Sequence, residues 1–254
     1  MVALLPLARP DIPAMRRAGR AAARTLEGAL GLVRPGISTA AIDRFVELDT
    51  RARGGTCAQK GHRVGRLRFP AHVCTSRNDV VCHGIPSPDD VLRDGDILNV
   101  DVTTGLGGFH GDTSRTVLIG AGGPEARHVV AVAERALQLG IEAVRPGAPL
   151  HDIGRAIEAF VVSQGCSVVR DYGGHGIGSR MHLPPHVPHY ARRDDGPRMV
   201  EGACFTIEPM VNLGGPALAH DDDGWTVRTA DGSLSARFEH TILVTADGAE
   251  VLTR

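Results

Sequence analysis

Two aspartates, Asp101 and Asp112, stand in a stretch whose pattern brings them together. From Arg93 to Leu118 the chain reads RDGDILNVDVTTGLGGFHGDTSRTVL. Two alternating apolar runs joined by a glycine-rich turn predict a β-hairpin. A turn centred on Leu106 and Gly107 sets Asp101 opposite Asp112. Directly opposed side chains in an antiparallel pair have Cβ atoms about 4.5–5.5 Å apart, and like charges there are destabilising. Facing carboxylates therefore call for a cation, and a divalent metal with oxygen ligands answers that need. On the hairpin alone a second reading stands level with the first. Asn99, Asp101, Thr103, His110, Asp112 and Ser114 form the wet face of a half-exposed hairpin, behind Leu98, Val100 and Val102.

The elements around the hairpin follow from periodicity and punctuation. Apolar residues at helical spacing run from Ile12 to Val33, and Pro35-Gly36 stops them; Ser38 or Thr39 then caps a second helix to about Arg53. Another amphipathic helix runs from Glu125 to Val144, stopped by Pro146-Gly147, and a further one reaches about Gln164. Residues 57–72 carry Lys60, Arg63, Arg66 and Arg68 without periodicity, which predicts a loop or irregular strand with a solvated basic rim. The remainder holds the segment GGHGIGSRMHLPPHVPHY, a strand ending in FTIEPM, and a predicted last hairpin across WTVRTADGSLSARFEHTILVTADG.

The order of these elements repeats. VRPG occurs at 33–36 and 144–147, each time between two helices, and HGI occurs at 83–85 and 175–177. DGDILNVD (94–101) and EGACFTIE (201–208) share an acid-glycine start, apolar alternation and a terminal acid. We therefore expect an α+β protein, one catalytic domain over 1–254 made of two related halves, roughly 12–120 and 124–254, with a site assembled between them. That site would draw on Asp101, Asp112, Glu208 and Glu239, a formal charge of −4 that two divalent cations balance. His175 is the natural nitrogen donor, because Gly174 and Gly176 leave its ring unobstructed. His83 is its repeat partner and His182 is nearby, whereas His186, His189 and His220 are expected at the surface or in support. Two metals about 3.5–4 Å apart can activate a water and polarise a carbonyl, as amide hydrolysis requires. Spare histidines would stabilise the oxyanion or protonate the leaving amine.

Bulk composition narrows the classes further. A chain of 254 residues with 42% hydrophobic content predicts a compact globular protein. A formal net charge of −1 lacks the basic excess of a dedicated nucleic-acid binder. Five cysteines without paired C-x-x-C spacing argue against a disulfide framework and a Cys-rich zinc site, and predict reduced thiols in the cytoplasm. The opening MVALLPLARP is too short and proline-broken for a membrane span, and no targeting segment is expected. No Walker loop, G-x-G-x-x-G fingerprint, G-x-S-x-G elbow or H-E-x-x-H helix competes.

With these residues in view, NDVVCHGIP, the Asp101/Asp112 hairpin with FHGDTS, GGHGIG followed by His182, FTIEPM, and WTV with SLSARFEHTI closely resemble type I methionine aminopeptidases. The resemblance runs from about Ile12 to the C-terminus. It implies the pita-bread fold, two pseudo-symmetric halves around a dinuclear metal centre of Co, Mn, Fe or Zn. It also implies Asp101, Asp112, His175, Glu208 and Glu239 as ligands, with Asp112 and Glu239 bridging. His83 and His182 would contact the scissile region, Glu208 would assist in deprotonating the nucleophilic water, and Trp225 would border the substrate. The carbonyls of Asn78, Val80 and Ser235 match a monovalent-cation site seen in some members. Implied partners are peptide and nascent-protein N-termini with transient ribosome contact, for a monomeric enzyme without membrane or dedicated nucleic-acid binding.

Departures fall where such enzymes recognise the methionine side chain. The family's usual L-G-Y-x-G-F-P reads VGRLRFP here, with Arg66 at the tyrosine position and Arg68 at the second glycine. Met181 stands where Phe is usual, and Leu183-Pro184 where an acidic pair often follows. A guanidinium buried beside a thioether without a carboxylate costs several kcal/mol, so Arg66 is expected to swing outward and leave Phe69, Cys74, Met181 and Trp225 to line a looser pocket. The alternatives are a related metalloaminopeptidase acting on another N-terminal residue, or a catalytically weak binding member of the same fold. Prolidases and proline aminopeptidases are disfavoured by length, with 11 residues before the first helix.

Overall fold

The computed structural model describes residues 3–254. Four helices pack against an antiparallel sheet: α1 (Ile12–Leu30), α2 (Thr39–Ala52), α3 (Pro124–Glu142) and α4 (Asp152–Ser163). Pro13 in the first turn of α1 and Pro124 at the start of α3 occupy positions where the missing N–H has no intrahelical partner to lose. The small residues Ala18, Gly19, Ala22 and Ala29 on the buried side of α1 let it lie close against the strands Ile97–Leu106 and Phe109–Leu118.

Those two strands form the predicted hairpin, but its register differs from expectation. Asp101 pairs with Ser114, and Asp112 pairs with Thr103. The corner is Gly107-Gly108, with φ of 60° and 83°, two consecutive left-handed positions that a tight hairpin turn demands and two glycines supply. The aspartates are therefore diagonal neighbours on one face. The wet-face alternative also fails, because Asn99, Asp101, Thr103, Asp112 and Ser114 are all buried. Helices cover one side of the hairpin and the site covers the other.

Across the sheet the order is Ile97–Leu106, Phe109–Leu118, Ser235–Thr245, Cys204–Ile207, Gly174–Gly176 and Leu183–Val187. One apolar core lies under α3 and α4, around Phe205, Ile207, Ile153 and Ile157; a second lies under α1 and α2, around Ile42, Val46, Leu98 and Val100. The junction between Phe109–Leu118 and Ser235–Thr245 joins the two, with Glu239 opposite Ser114.

The predicted last hairpin is not formed. Val227–Thr229 pairs with Leu218–His220 and with Val80–Cys82, while Ser235–Thr245 turns back onto Gly248–Val251. The long strand has no free edge for the Trp225 segment, since its partners already include Phe109–Leu118, Cys204–Ile207 and Met210–Asn212. Within the basic stretch, Arg63–Val64 and Leu67–Arg68 make a small exposed hairpin, and Lys60, Arg63, Arg66 and Arg68 are all exposed. Arg66 is exposed and is not among the residues that line the cavity described below. The five cysteines are free thiols. No described helix is long and apolar enough to cross a membrane.

Candidate active site

The hairpin, the Ser235–Thr245 strand and the Gly174–Gly176 segment converge on a cavity of about 310 Å³. Its floor brings ligand atoms of Asp112, His175 and Glu239 within 4.8 Å of one another. His175 Nε2 lies 3.8 Å from Asp112 Oδ2 and 3.6 Å from Glu208 Oε1. Glu208 and Asp101 complete the five expected donors, and all four acids are buried.

Local chain features position each donor. A Cβ at Gly174 would sit 2.2 Å from the Thr206 carbonyl oxygen and one at Gly176 would sit 2.5 Å from that of Pro184, so the GHG sequence is what lets His175 enter between neighbouring strands. The Thr206 hydroxyl donates to Glu208 Oε1 at 2.7 Å, and the His175 N–H donates to Thr206 Oγ1 at 3.0 Å. Thr103 Oγ1 donates to Asp112 Oδ1 at 2.8 Å, and the backbone N–H of Asp112 donates to Thr241 Oγ1 at 3.0 Å. Such outer contacts hold ligand side chains in one orientation.

Electrostatics show what the acids lack. Burial, reinforced by Asp101 and Glu208, pushes the Asp112 carboxyl well above the usual carboxylate range; burial with Asp112 and Glu208 does the same to Glu239. Burial raises Glu208 to about 7 and lowers His175 to about 4. Acids crowded in a dry pocket resist ionisation unless a cation joins them. Neutral imidazole and several carboxylate oxygens are a fitting donor set for a divalent ion.

Above the floor stand the residues expected to touch substrate. Phe69, Cys74, Met181 and Trp225 line the cavity, and Phe69 meets Trp225 edge to face at 5.3 Å. His83 has φ of +57° and its ring stands 5.5 Å from that of Tyr172; burial lowers its pKa to about 4. His182 lies at the exposed rim, its ring 4.3 Å from that of His175, and the pocket wall together with His175 and His62 disfavours its charged form. His189 is buried and its Nε2 accepts the Glu208 N–H at 3.2 Å, a supporting place; His186 and His220 are exposed, with His186 at the cavity rim. Asn78 and Ser235 meet directly, the Asn78 carbonyl accepting the Ser235 N–H at 2.9 Å.

Sequence reasoning missed several lining residues. Gln59 donates to the Asp101 carbonyl at 2.7 Å and to Asp101 Oδ1 at 3.3 Å, and its own carbonyl accepts the Thr103 N–H. His62 and the exposed Val64 line the cavity from the basic stretch, where no periodicity singles them out. The most consequential omission is Arg237, only 3% exposed and in contact with Asp101, Glu208 and Glu239. Its signal was present, since Ser235, Arg237 and Glu239 alternate onto one face of a strand. With Arg237 included, the formal charge of the cluster is −3 rather than −4.

A buried floor of carboxylates and one histidine, set where two helix-backed strand systems meet, is the arrangement of a metal-dependent hydrolase. The family model described as Metallopeptidase family M24 matches residues 13–246, and the chain belongs to that family. It is similar to methionine aminopeptidase A of Synechocystis sp., 49% identical over 247 residues that cover 97% of this chain and 96% of the relative. The crystal structure of methionine aminopeptidase from Rickettsia prowazekii superposes with a TM-score of 0.93 at 42% identity, covering 99% of this chain and all of that one. The prolidase from Pyrococcus horikoshii OT3 shares the fold alone, with a TM-score of 0.76 at 19% identity, over 98% of this chain and 63% of that one. The fold is the pita-bread fold that the sequence motifs implied.

Proposed function

We propose that the protein removes N-terminal methionine from peptides and nascent proteins whose second residue is small. The observation that carries this reading is the convergence of Asp112, His175 and Glu239 beneath an apolar pocket lined by Phe69, Cys74, Met181 and Trp225. The two halves, 12–120 and 124–254, act as one catalytic unit, each contributing acids to the floor.

Asp112, His175 and Glu239 would hold a divalent ion, Co, Mn, Fe or Zn, with Glu208 and Asp101 completing the acids expected around it. A divalent ion bound there supplies a Lewis acid for the scissile carbonyl and lowers the pKa of water. The apolar pocket takes the methionine side chain. Trp225 and Phe69 give it a rigid aromatic wall, and Met181 adapts to its shape. Glu208, oriented by the Thr206 hydroxyl, receives the proton of the attacking water. His182, neutral at the rim, donates its N–H to the oxygen that gains charge in the transition state. His83, held by Tyr172, faces the scissile amide on the other side.

Further parts of this reading concern the surroundings. The Asn78, Val80 and Ser235 carbonyls hold a monovalent cation, a role supported by the direct Asn78–Ser235 contact. The protein works as a cytoplasmic monomer in transient contact with the ribosome; five free thiols agree with a reducing compartment.

Turnover of Met-Ala-Ser, Met-Lys-Ser and a proline-containing peptide, after chelation and metal addition, tests the proposal. Met-Ala-Ser should be preferred at least about tenfold over the others, a difference of about 1.4 kcal/mol in transition-state binding. Equal rates, or preference for the proline peptide, would overturn the methionine assignment.

A further inference from the structure

The Arg237 guanidinium lies inside the carboxylate cluster and holds one side of it. Its side chain is 3% exposed. Nη2 makes a close ion pair with Asp101 Oδ2 and stands 3.5 Å from Glu239 Oε2, Nη1 stands 3.6 Å from Glu208 Oε2, and Nε donates to Ser114 Oγ at 3.1 Å. Ser114 is the cross-strand partner of Asp101, so the hairpin itself anchors the guanidinium beside that acid. Gln59 takes the other Asp101 oxygen, Oδ1, at 3.3 Å. Both carboxylate oxygens of Asp101 are thus engaged by protein donors. Asp112 Oδ2, His175 Nε2 and a Glu239 oxygen still converge as an open group on the opposite side.

We propose that Arg237 is the second cation of this centre, standing where the five-ligand count would otherwise admit a second divalent ion. The inference rests on the reading of the floor as a divalent-metal site. Four carboxylates and one guanidinium leave three negative charges, which one divalent ion reduces to one; a second ion would make the buried cluster net positive and would have to separate Arg237 from Asp101. An arginine cannot relieve that repulsion by losing its proton. Its removal to another position would leave a buried guanidinium without its acids, which is unfavourable. Arg237 therefore restricts the centre to one tightly held ion, at Asp112, His175 and Glu239. Asp101 acts as the partner that fixes the guanidinium.

The test is metal stoichiometry. Chelated full-length protein is titrated with Mn(II) by calorimetry, and bound metal is counted by native mass spectrometry. Wild type should take one equivalent, with a second at least about a hundredfold weaker, as expected for a like charge held at contact distance. Arg237→Gln should strengthen the second equivalent at least about tenfold, and Arg237→Lys should give a second equivalent that strengthens as pH rises, because a buried ammonium, unlike a guanidinium, can give up its proton. Two equivalents of similar affinity in wild type would overturn the role of Arg237 while leaving the metal site standing, and this measurement needs no variant to fold. An Arg237→Gln protein with a native circular dichroism spectrum and an unchanged second equivalent would overturn it too. Absence of any Mn(II) binding to wild type would overturn both the inference and the metal-site reading.

Discussion

Thr103 and Asp112 face each other across the hairpin, and the Thr103 hydroxyl donates a 2.8 Å hydrogen bond to Asp112 Oδ1 while Oδ2 lies 3.8 Å from His175 Nε2. The bond fixes how the carboxylate is presented to the centre. Thr103→Val removes the donor at similar volume and should weaken Mn(II) affinity by about tenfold, the lower end for a contact supporting a ligand. Thr103→Ser should restore it. An unchanged affinity in Thr103→Val, measured calorimetrically, would show that Asp112 is held by its backbone alone.

His182 stands at the rim, beside His175 but outside the group of converging ligand atoms. His182→Ala should lower kcat about a hundredfold and change KM little, as for a donor used mainly in the transition state. Metal content should be unaltered. A pure KM effect would assign His182 to substrate positioning.

The parts that were legible in the sequence are those with a local pattern. The four helices follow from apolar spacing and proline-glycine stops, and the site acids lie within or just after alternating strands or in short motifs. The hairpin register was not legible in the same way. Choosing Leu106 and Gly107 for the corner ignored that Gly107-Gly108 is the adjacent pair able to take two positive φ values, so Asp101 was set opposite the wrong residue. The partner of Val227–Thr229 was also missed, because strand pairing depends on which edges remain free after folding. Arg237 escaped for a different reason. Arginine is rarely buried, so a count of acids alone overlooked the basic residue two positions before Glu239.

Arg66 and Val64 are both exposed on the small hairpin Arg63–Arg68, and of the two only Val64 lines the cavity. Arg66→Ala should change kcat/KM on Met-Ala-Ser by less than about tenfold, a limit of about 1.4 kcal/mol. Selectivity for methionine over leucine or norleucine should be modest in both proteins. A much larger loss, or a wild-type preference for an acidic N-terminal residue, would place the guanidinium at the substrate.

Burial, with Arg254 and Arg115 nearby, lowers His240 to about 4. An unfolded histidine titrates near about 6.5. As pH falls below that value the unfolded chain takes the proton first, so stability present above about pH 6.5 is lost progressively until the folded histidine itself titrates. Between pH 7.5 and 5, wild type should therefore lose about 2 kcal/mol more unfolding free energy than His240→Gln. Urea melts of both proteins measure the difference. Parallel pH dependences would show that His240 titrates alike in the two states.

The central claim is that hydrolysis runs through the buried group of Asp112, His175 and Glu239. Asp112→Asn keeps the shape of the side chain and removes its charge. After chelation and Mn(II) addition, its kcat/KM on Met-Ala-Ser should fall at least about a thousandfold relative to wild type, or about 4 kcal/mol, with reduced bound metal and an unchanged helical circular dichroism signal. Wild-type turnover in that variant, or wild-type turnover that survives removal of all divalent metal, would contradict the account.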